Sequence, residues 1–293
     1  MNIFSGLEKI VETNYPIAQH TWYGVGGPVD YFIRPTTVEQ LKKVTRRCSE
    51  NNIPVYVMGF GSNLLINDAG LRAAVIKLEA GQFTETHFDG EQLTAWAGAE
   101  LGKLVLTCVK KGLSGIEALV GIPGSIGGAV KMNAGGNFGD IGALVETVTL
   151  MDNKGGVFEK TKPELMFDYR STNIAARFIL NARLNLTGAD PQQIMQTVKE
   201  VWIYKKNTQP LNTKNAGCVF KNPRGVSAGA LIDRAGLKGL KIGEAVVSEK
   251  HANFIIAEKG CQSRDVIRLV DAIKQRVKEK FDIDLELEIE IWN

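Results

Sequence analysis

Gly121-Ile122-Pro123-Gly124-Ser125-Ile126-Gly127-Gly128-Ala129, continued by Asn133-Ala134-Gly135-Gly136, is the stretch on which the reading of the fold turns. Seven of the 19 residues from Gly121 to Gly139 are glycine. Ordering a long glycine-rich loop costs so much backbone entropy that something must pack on it: a bound cofactor, or the neighbouring strands of a buried connection. A second glycine turn, Gly59-Phe60-Gly61-Ser62-Asn63, follows the apolar run Val55 to Met58. Its glycines would let backbone N–H groups approach an anion, and Ser62 and Asn63 would add donors, so it reads either as a diphosphate-holding turn or as a plain structural one. The third glycine of a G-x-G-x-x-G dinucleotide fingerprint would fall at Leu64, so this is not that fingerprint. The G-K-[ST] ending of a phosphate loop and the H-E-x-x-H zinc motif are missing, which excludes those two classes, and hydrolase chemistry is not expected either.

Composition narrows the field further. Of the 293 residues, 44% are hydrophobic and 23% charged, as in ordinary globular proteins, so disordered, collagen-like and coiled-coil classes are excluded. A net charge of +3, spread along the chain, gives no nucleic-acid footprint. Cys48, Cys108, Cys218 and Cys261 lie far apart with no C-x-x-C pair and read as free thiols in a reducing compartment. The isolated His20, His87 and His251 match no zinc spacing, so no metal is expected. The first twelve residues carry Glu8 and Lys9 where a signal peptide would be apolar, and the longest uncharged apolar segment, Ala118 to Val130, is too short to span a bilayer. The expectation is a cytoplasmic protein without membrane insertion.

Working outward, Val29 to Ile33 reads as a strand and Thr36 with Glu39 as a capping box, so a helix runs to about Glu50 and a strand follows at 54–58. Ala73 to Leu78 is a further strand, and Leu101, Leu104, Val105, Cys108 and Val109 mark a helix closed by Gly112. Asn153-Lys154-Gly155-Gly156 joins two strands of a hairpin, and Leu180 to Leu186 alternates as a half-buried strand. Asp190-Pro191 starts another helix, which puts a domain boundary near residue 187. Helices are expected over Ser227 to Ala235 and Ser263 to Lys280, and Leu285 to Ile291 alternates with Glu286, Glu288 and Glu290 as a strand with one acidic face. Pattern alone does not single out Glu288 from its two acidic neighbours. Nor does it decide whether Arg170 clamps a carboxylate or pairs at the surface, or whether Cys218 is a reactive thiol or a small buried side chain.

The pieces fall in one order: the two glycine segments, Tyr169-Arg170, Thr208-Gln209-Pro210, Ala216-Gly217-Cys218-Val219-Phe220-Lys221-Asn222-Pro223, Ala235-Gly236-Leu237-Lys238-Gly239, His251-Ala252-Asn253-Phe254 and Leu285-Glu286-Leu287-Glu288. Together they resemble the UDP-N-acetylenolpyruvoylglucosamine reductase family of peptidoglycan precursor synthesis, in its shorter subclass, over nearly the whole chain. The resemblance implies an α+β protein. A two-part FAD-binding region of the vanillyl-alcohol-oxidase type, over 1–76 and 77–186, would precede a C-terminal α+β substrate-binding domain over 187–293. It also implies noncovalent FAD, NADPH as hydride donor, a UDP-sugar substrate, and a monomer or weak oligomer.

Site residues follow from the same resemblance. Arg170 matches the family's charge-stabilising arginine and Glu288 its catalytic glutamate, while Cys218 stands where many members have a proton-donating serine. A thiol, with a reference pKa of about 8.5, is a readier acid than an alcohol. Gly59, Gly61, Ser62, Asn63, Gly124, Ser125 and Gly127 are expected FAD contacts, and Tyr169 and Asn222 substrate contacts. Leu287 stands where proline is common, and His20-Thr21-Trp22-Tyr23-Gly24-Val25-Gly26-Gly27 departs from the usual asparagine-led form. The alternative implied by the same fold is a flavin-dependent oxidase or dehydrogenase of another small substrate.

Overall fold

Two separate sets of apolar side chains organise the computed structural model, which describes residues 3–293 and divides into two compact units. Residues 1 and 2, where the N-terminal reading begins, lie outside the described residues. Of the described residues, the first unit comprises 3–13, 30–60 and 72–204, and the second 14–29, 61–71 and 205–293. The chain therefore changes unit five times.

In the first unit, strands Val55–Met58 and Leu71–Lys77 pair in parallel within a four-stranded sheet. Helix Val38–Glu50 buries Leu41, Val44 and Cys48 in the same core. Its cap differs from the expected one by a residue: Thr37 accepts the Gln40 N–H, while Thr36 donates through N–H and hydroxyl to the Gln40 side chain. A five-stranded antiparallel sheet runs in the order 157–161, 145–151, 178–185, 92–96, 86–89. Helix Leu101–Lys111 ends, as its glycine implies, with Gly112 left-handed at φ +67°. Helix Pro191–Thr208 begins where the Asp190-Pro191 signal puts it, but Ile194 and Val198 pack in the first core and not in a new one.

The glycine-rich segment is not loop throughout. Ser125 caps a one-and-a-half-turn helix, Ile126–Lys131, by accepting the Gly128 N–H. Gly127 lies on that helix because a Cβ there would come 2.9 Å from the Ala97 Cβ, so the poor helix former is kept for close packing.

The second unit holds a three-stranded sheet (241–242, 245–247, 255–257) and the helices Ala228–Arg234 and Ser263–Phe281. Val266, Leu269, Val270, Ile273 and Val277 recur at helical spacing along the buried face of the long helix. Only Glu290–Trp292 of the expected terminal strand forms a ladder, in parallel with Leu64–Ile66. Upstream, a single antiparallel bridge joins Leu287 to Phe220. Among the described residues no helix is long and apolar enough to cross a membrane.

Candidate active site

The first unit carries Gly59, Gly124, Ser125, Gly127, Tyr169 and Arg170 of the expected site. Gly59 ends the strand Val55–Met58, and a Cβ on it would lie 2.8 Å from Ser125 Oγ, so the glycine turn and the helix cap approach one another as only a missing side chain permits. Gly124 is tied by its carbonyl to the Leu101 N–H at 3.0 Å, and open space lies where its Cβ would be. A cradle of backbone with an open side at Gly124 fits a dinucleotide-sized ligand such as FAD.

Arg170 stands on a sharp corner after the two-residue strand Phe167–Asp168, with φ +53°. Among the described residues, the other four non-glycine residues with positive φ are Asn14, Asn52, Asn133 and Asp282, types that tolerate this region. Nothing about arginine favours it, so the surroundings impose it. Its guanidinium donates to the Gly135 carbonyl at 3.0 Å and lies 5.1 Å from the centre of the exposed Tyr169 ring. Sequence signals gave no hint of this corner, because arginine is not a turn residue.

The second unit carries Gly61, Ser62, Asn63, Cys218, Asn222 and Glu288. Gly61 takes φ +67°, which sends the chain into the strand Leu64–Ile66. Asn63 then donates from its side-chain amide to the Glu288 carbonyl at 3.0 Å, and its own carbonyl accepts the Glu290 N–H at 2.9 Å. This residue, expected only as a cofactor contact, thus fixes the main chain of Glu288 across 225 positions of sequence.

The Glu288 N–H donates to Val219, next to Cys218, at 2.8 Å, and the Lys221 N–H to Glu286 at 2.8 Å. Cys218 and Glu288 are therefore brought onto neighbouring backbone segments. The structure also separates the three glutamates that pattern could not: Glu286 is exposed and ion-paired with Lys221, Glu290 is exposed, and Glu288 is partly buried. Asn222 is exposed, and its Oδ1 accepts the Ala228 N–H at 2.9 Å, bracing the start of the following helix. Gly225-Val226-Ser227-Ala228-Gly229 spells the hydrolase elbow G-x-S-x-G. Ser227 there is a helix cap accepting the Ala230 N–H, with no strand leading into it, so the spelling carries no nucleophile.

Behind Cys218 stands the buried Asn253, whose side chain bonds both the N–H and the carbonyl of Phe220. Its own N–H donates to His251 Nδ1 at 3.2 Å, and the His251 ring packs edge-on against Phe254. Burial, aided by Lys238, lowers the pKa of His251 below its ordinary 6.5. The unfolded chain then binds the proton more readily than the folded one. Stability is fully present above pH 6.5 and falls as the pH drops below it, because charging the buried ring is unfavourable. His251→Gln is expected to flatten the fall in melting temperature between pH 6.5 and 5 seen in the wild-type protein; an equal fall in both would contradict it.

All four cysteines are free thiols. Burial raises the pKa of Cys48 to about 11 and of Cys108 to about 12, which leaves them inert near neutrality.

Comparison with known proteins places the chain in a family. A profile for "FAD binding domain" matches residues 29–160, and one for "UDP-N-acetylenolpyruvoylglucosamine reductase, C-terminal domain" matches 209–292. The UDP-N-acetylenolpyruvoylglucosamine reductase of Bacillus subtilis is 38% identical over 96% of this chain and 93% of its own. That of Carboxydothermus hydrogenoformans is 41% identical over 95% and 92%. The crystal structure of the reductase from Thermus caldophilus superimposes with a TM-score of 0.84 at 39% identity, covering 97% of this chain and 99% of that one. A glucose dehydrogenase, Phl p 4.0202, shares the fold at a TM-score of 0.50 and 17% identity over 65% of this chain and 45% of its own. The α+β architecture with an FAD-binding domain is thereby shown, and the chain belongs to the UDP-N-acetylenolpyruvoylglucosamine reductase family.

Proposed function

We propose that the chain catalyses its family's reaction, the NADPH-dependent reduction of UDP-N-acetylenolpyruvoylglucosamine to UDP-N-acetylmuramate through FAD. The observation that carries this is near-full-length similarity to named reductases at about 38% identity. FAD, when bound, takes a hydride from NADPH and supplies it to the enolpyruvyl double bond. Gly59, Gly61, Ser62, Asn63, Gly124, Ser125 and Gly127 are assigned to holding it.

Hydride addition to an enol ether conjugated to a carboxylate builds negative charge on that carboxylate, and a fixed guanidinium lowers the barrier by waiting for it. That is the role assigned to Arg170, whose corner is bonded before substrate arrives. Cys218 is assigned the proton delivered to the neighbouring carbon. Glu288 is assigned a hydrogen bond to the carboxylate, as acid or as orienting partner, on a backbone held by Asn63 and Val219. Tyr169 and Asn222 are assigned to substrate. The divisions 1–76, 77–186 and 187–293 are proposed as two FAD-binding parts and one substrate-binding part, and the protein as a cytoplasmic monomer or weak oligomer.

The test is purification, release of the cofactor by heat, and steady-state NADPH consumption with the UDP-sugar. Released FAD, and NADPH oxidation that depends on the sugar and yields its dihydro product, support the reading. A protein that binds no FAD, or that oxidises NADPH without reducing the sugar, overturns it.

A further inference from the structure

We propose that Asn133 is a positioning residue for Arg170, fixing the strained corner from which the guanidinium is presented; this rests on Arg170 being the partner of the substrate carboxylate. Asn133 is 4% exposed and is itself left-handed at φ +43°. Its side-chain amide donates to the Asp168 carbonyl at 3.0 Å, two residues before Arg170. Its Oδ1 accepts the Gly142 N–H at 3.0 Å, so both ends of the amide are engaged and its orientation is settled. Two residues further on, the Gly135 carbonyl receives the Arg170 guanidinium at 3.0 Å. One short segment, 133–135, therefore grips the corner at its main chain and at its side chain.

The surroundings leave no slack in this grip. A Cβ on Gly142 would meet the Phe167 ring at 2.5 Å and Asn133 Oδ1 at 2.7 Å. Phe167 is the residue before Asp168 and pairs with Thr172 across the corner. An arginine backbone at φ +53° relaxes toward ordinary values unless its neighbours prevent it. The buried Asn133 side chain supplies that restraint from the interior side, through one buried bond to the Gly142 N–H and one part-buried bond to the Asp168 carbonyl. A short polar residue is needed here because only asparagine offers a donor and an acceptor together while tolerating the left-handed backbone.

The experiment compares FAD-loaded wild-type protein with Asn133→Gly, which keeps the backbone conformation but removes the amide, and with Asn133→Asp, which replaces the donor facing the Asp168 carbonyl with a charged acceptor. The rate of flavin bleaching by NADPH is expected to be unchanged in both, and reoxidation by the enolpyruvyl UDP-sugar to slow about 10- to 100-fold, as loss of alignment does. In an Arg170→Ala background the same changes are expected to have no further effect on reoxidation. Independently of turnover, amide hydrogen exchange over residues 168–170 is expected to quicken in the FAD-free Asn133→Gly protein. Equal slowing of both half-reactions, a full additional effect in the Arg170→Ala background, or unchanged exchange at 168–170 would overturn the proposal. Wild-type reoxidation by Arg170→Ala alone would instead overturn the role of Arg170, with the exchange measurement still deciding whether Asn133 holds the corner.

Discussion

Cys218→Ala is expected to lower turnover by about 10²- to 10⁴-fold, the usual contribution of a positioned proton donor, while NADPH still bleaches the bound flavin. The two half-reactions separate because reduction of the flavin needs no proton on the sugar, whereas completing the saturated product does. Cys218 stands on a segment fixed on both sides: the Val219 N–H donates to the Asn253 carbonyl at 2.8 Å and the Val219 carbonyl receives Glu288. Alanine leaves those main-chain bonds intact, so the loss is chemical and not conformational. Cys218→Ser, which restores an O–H at the same place, is expected to recover much of the rate. Wild-type reoxidation rates in Cys218→Ala would remove the residue from the proton path.

The second large effect has opposite signs on activity and stability. Arg170→Gly is expected to cost about 10²- to 10³-fold in reoxidation of the flavin by substrate, as loss of one charge-stabilising donor does elsewhere. Its folded state, however, is relieved of a left-handed arginine, a strain of about 1–2 kcal/mol that glycine does not carry. The suitable control is Arg170→Ala, which also loses the bond to the Gly135 carbonyl but keeps the strain. The glycine variant is expected to melt about 2–4 °C above the alanine variant, the shift that 1 kcal/mol produces in a chain of this class. Equal melting temperatures would show that the corner is not strained, and equal activity of wild type and either variant would show that it does no work. Strain held at a functional residue is a common cost of presenting it rigidly.

What the sequence revealed and what it hid divide along range of interaction. The helix ending at Gly112, the helix starting at Pro191 and the hairpin around Gly155 were legible because caps, prolines and turn glycines act within a few residues. The cap at Thr37 was displaced by one because Thr36, the neighbouring threonine, bonds the Gln40 side chain instead. Helix Ile126–Lys131 was hidden, since its two glycines oppose a helix and the close approach to Ala97 that requires Gly127 is a long-range contact.

The site shows the same division. Glu288 could not be told from Glu286 and Glu290 by alternation. What distinguishes it, the Asn63 amide and the Val219 carbonyl, comes from residues distant in sequence. The interleaved membership of 14–29 and 61–71 in the second unit is likewise a matter of long-range packing that no local composition shift marks. Resemblance to a family filled this gap by carrying the order of motifs, and it named the residues that pattern left ambiguous.

One measurement tests the central claim most directly: anaerobic titration of the FAD-loaded protein with NADPH, followed by the enolpyruvyl UDP-sugar, with the flavin absorbance recorded throughout. The account predicts yellow absorbance that bleaches with NADPH and returns in proportion to the sugar added, while the same sugar lacking its enolpyruvyl group leaves it bleached. Bleaching that the enolpyruvyl sugar does not reverse would contradict it, and would give the cofactor to a different reaction.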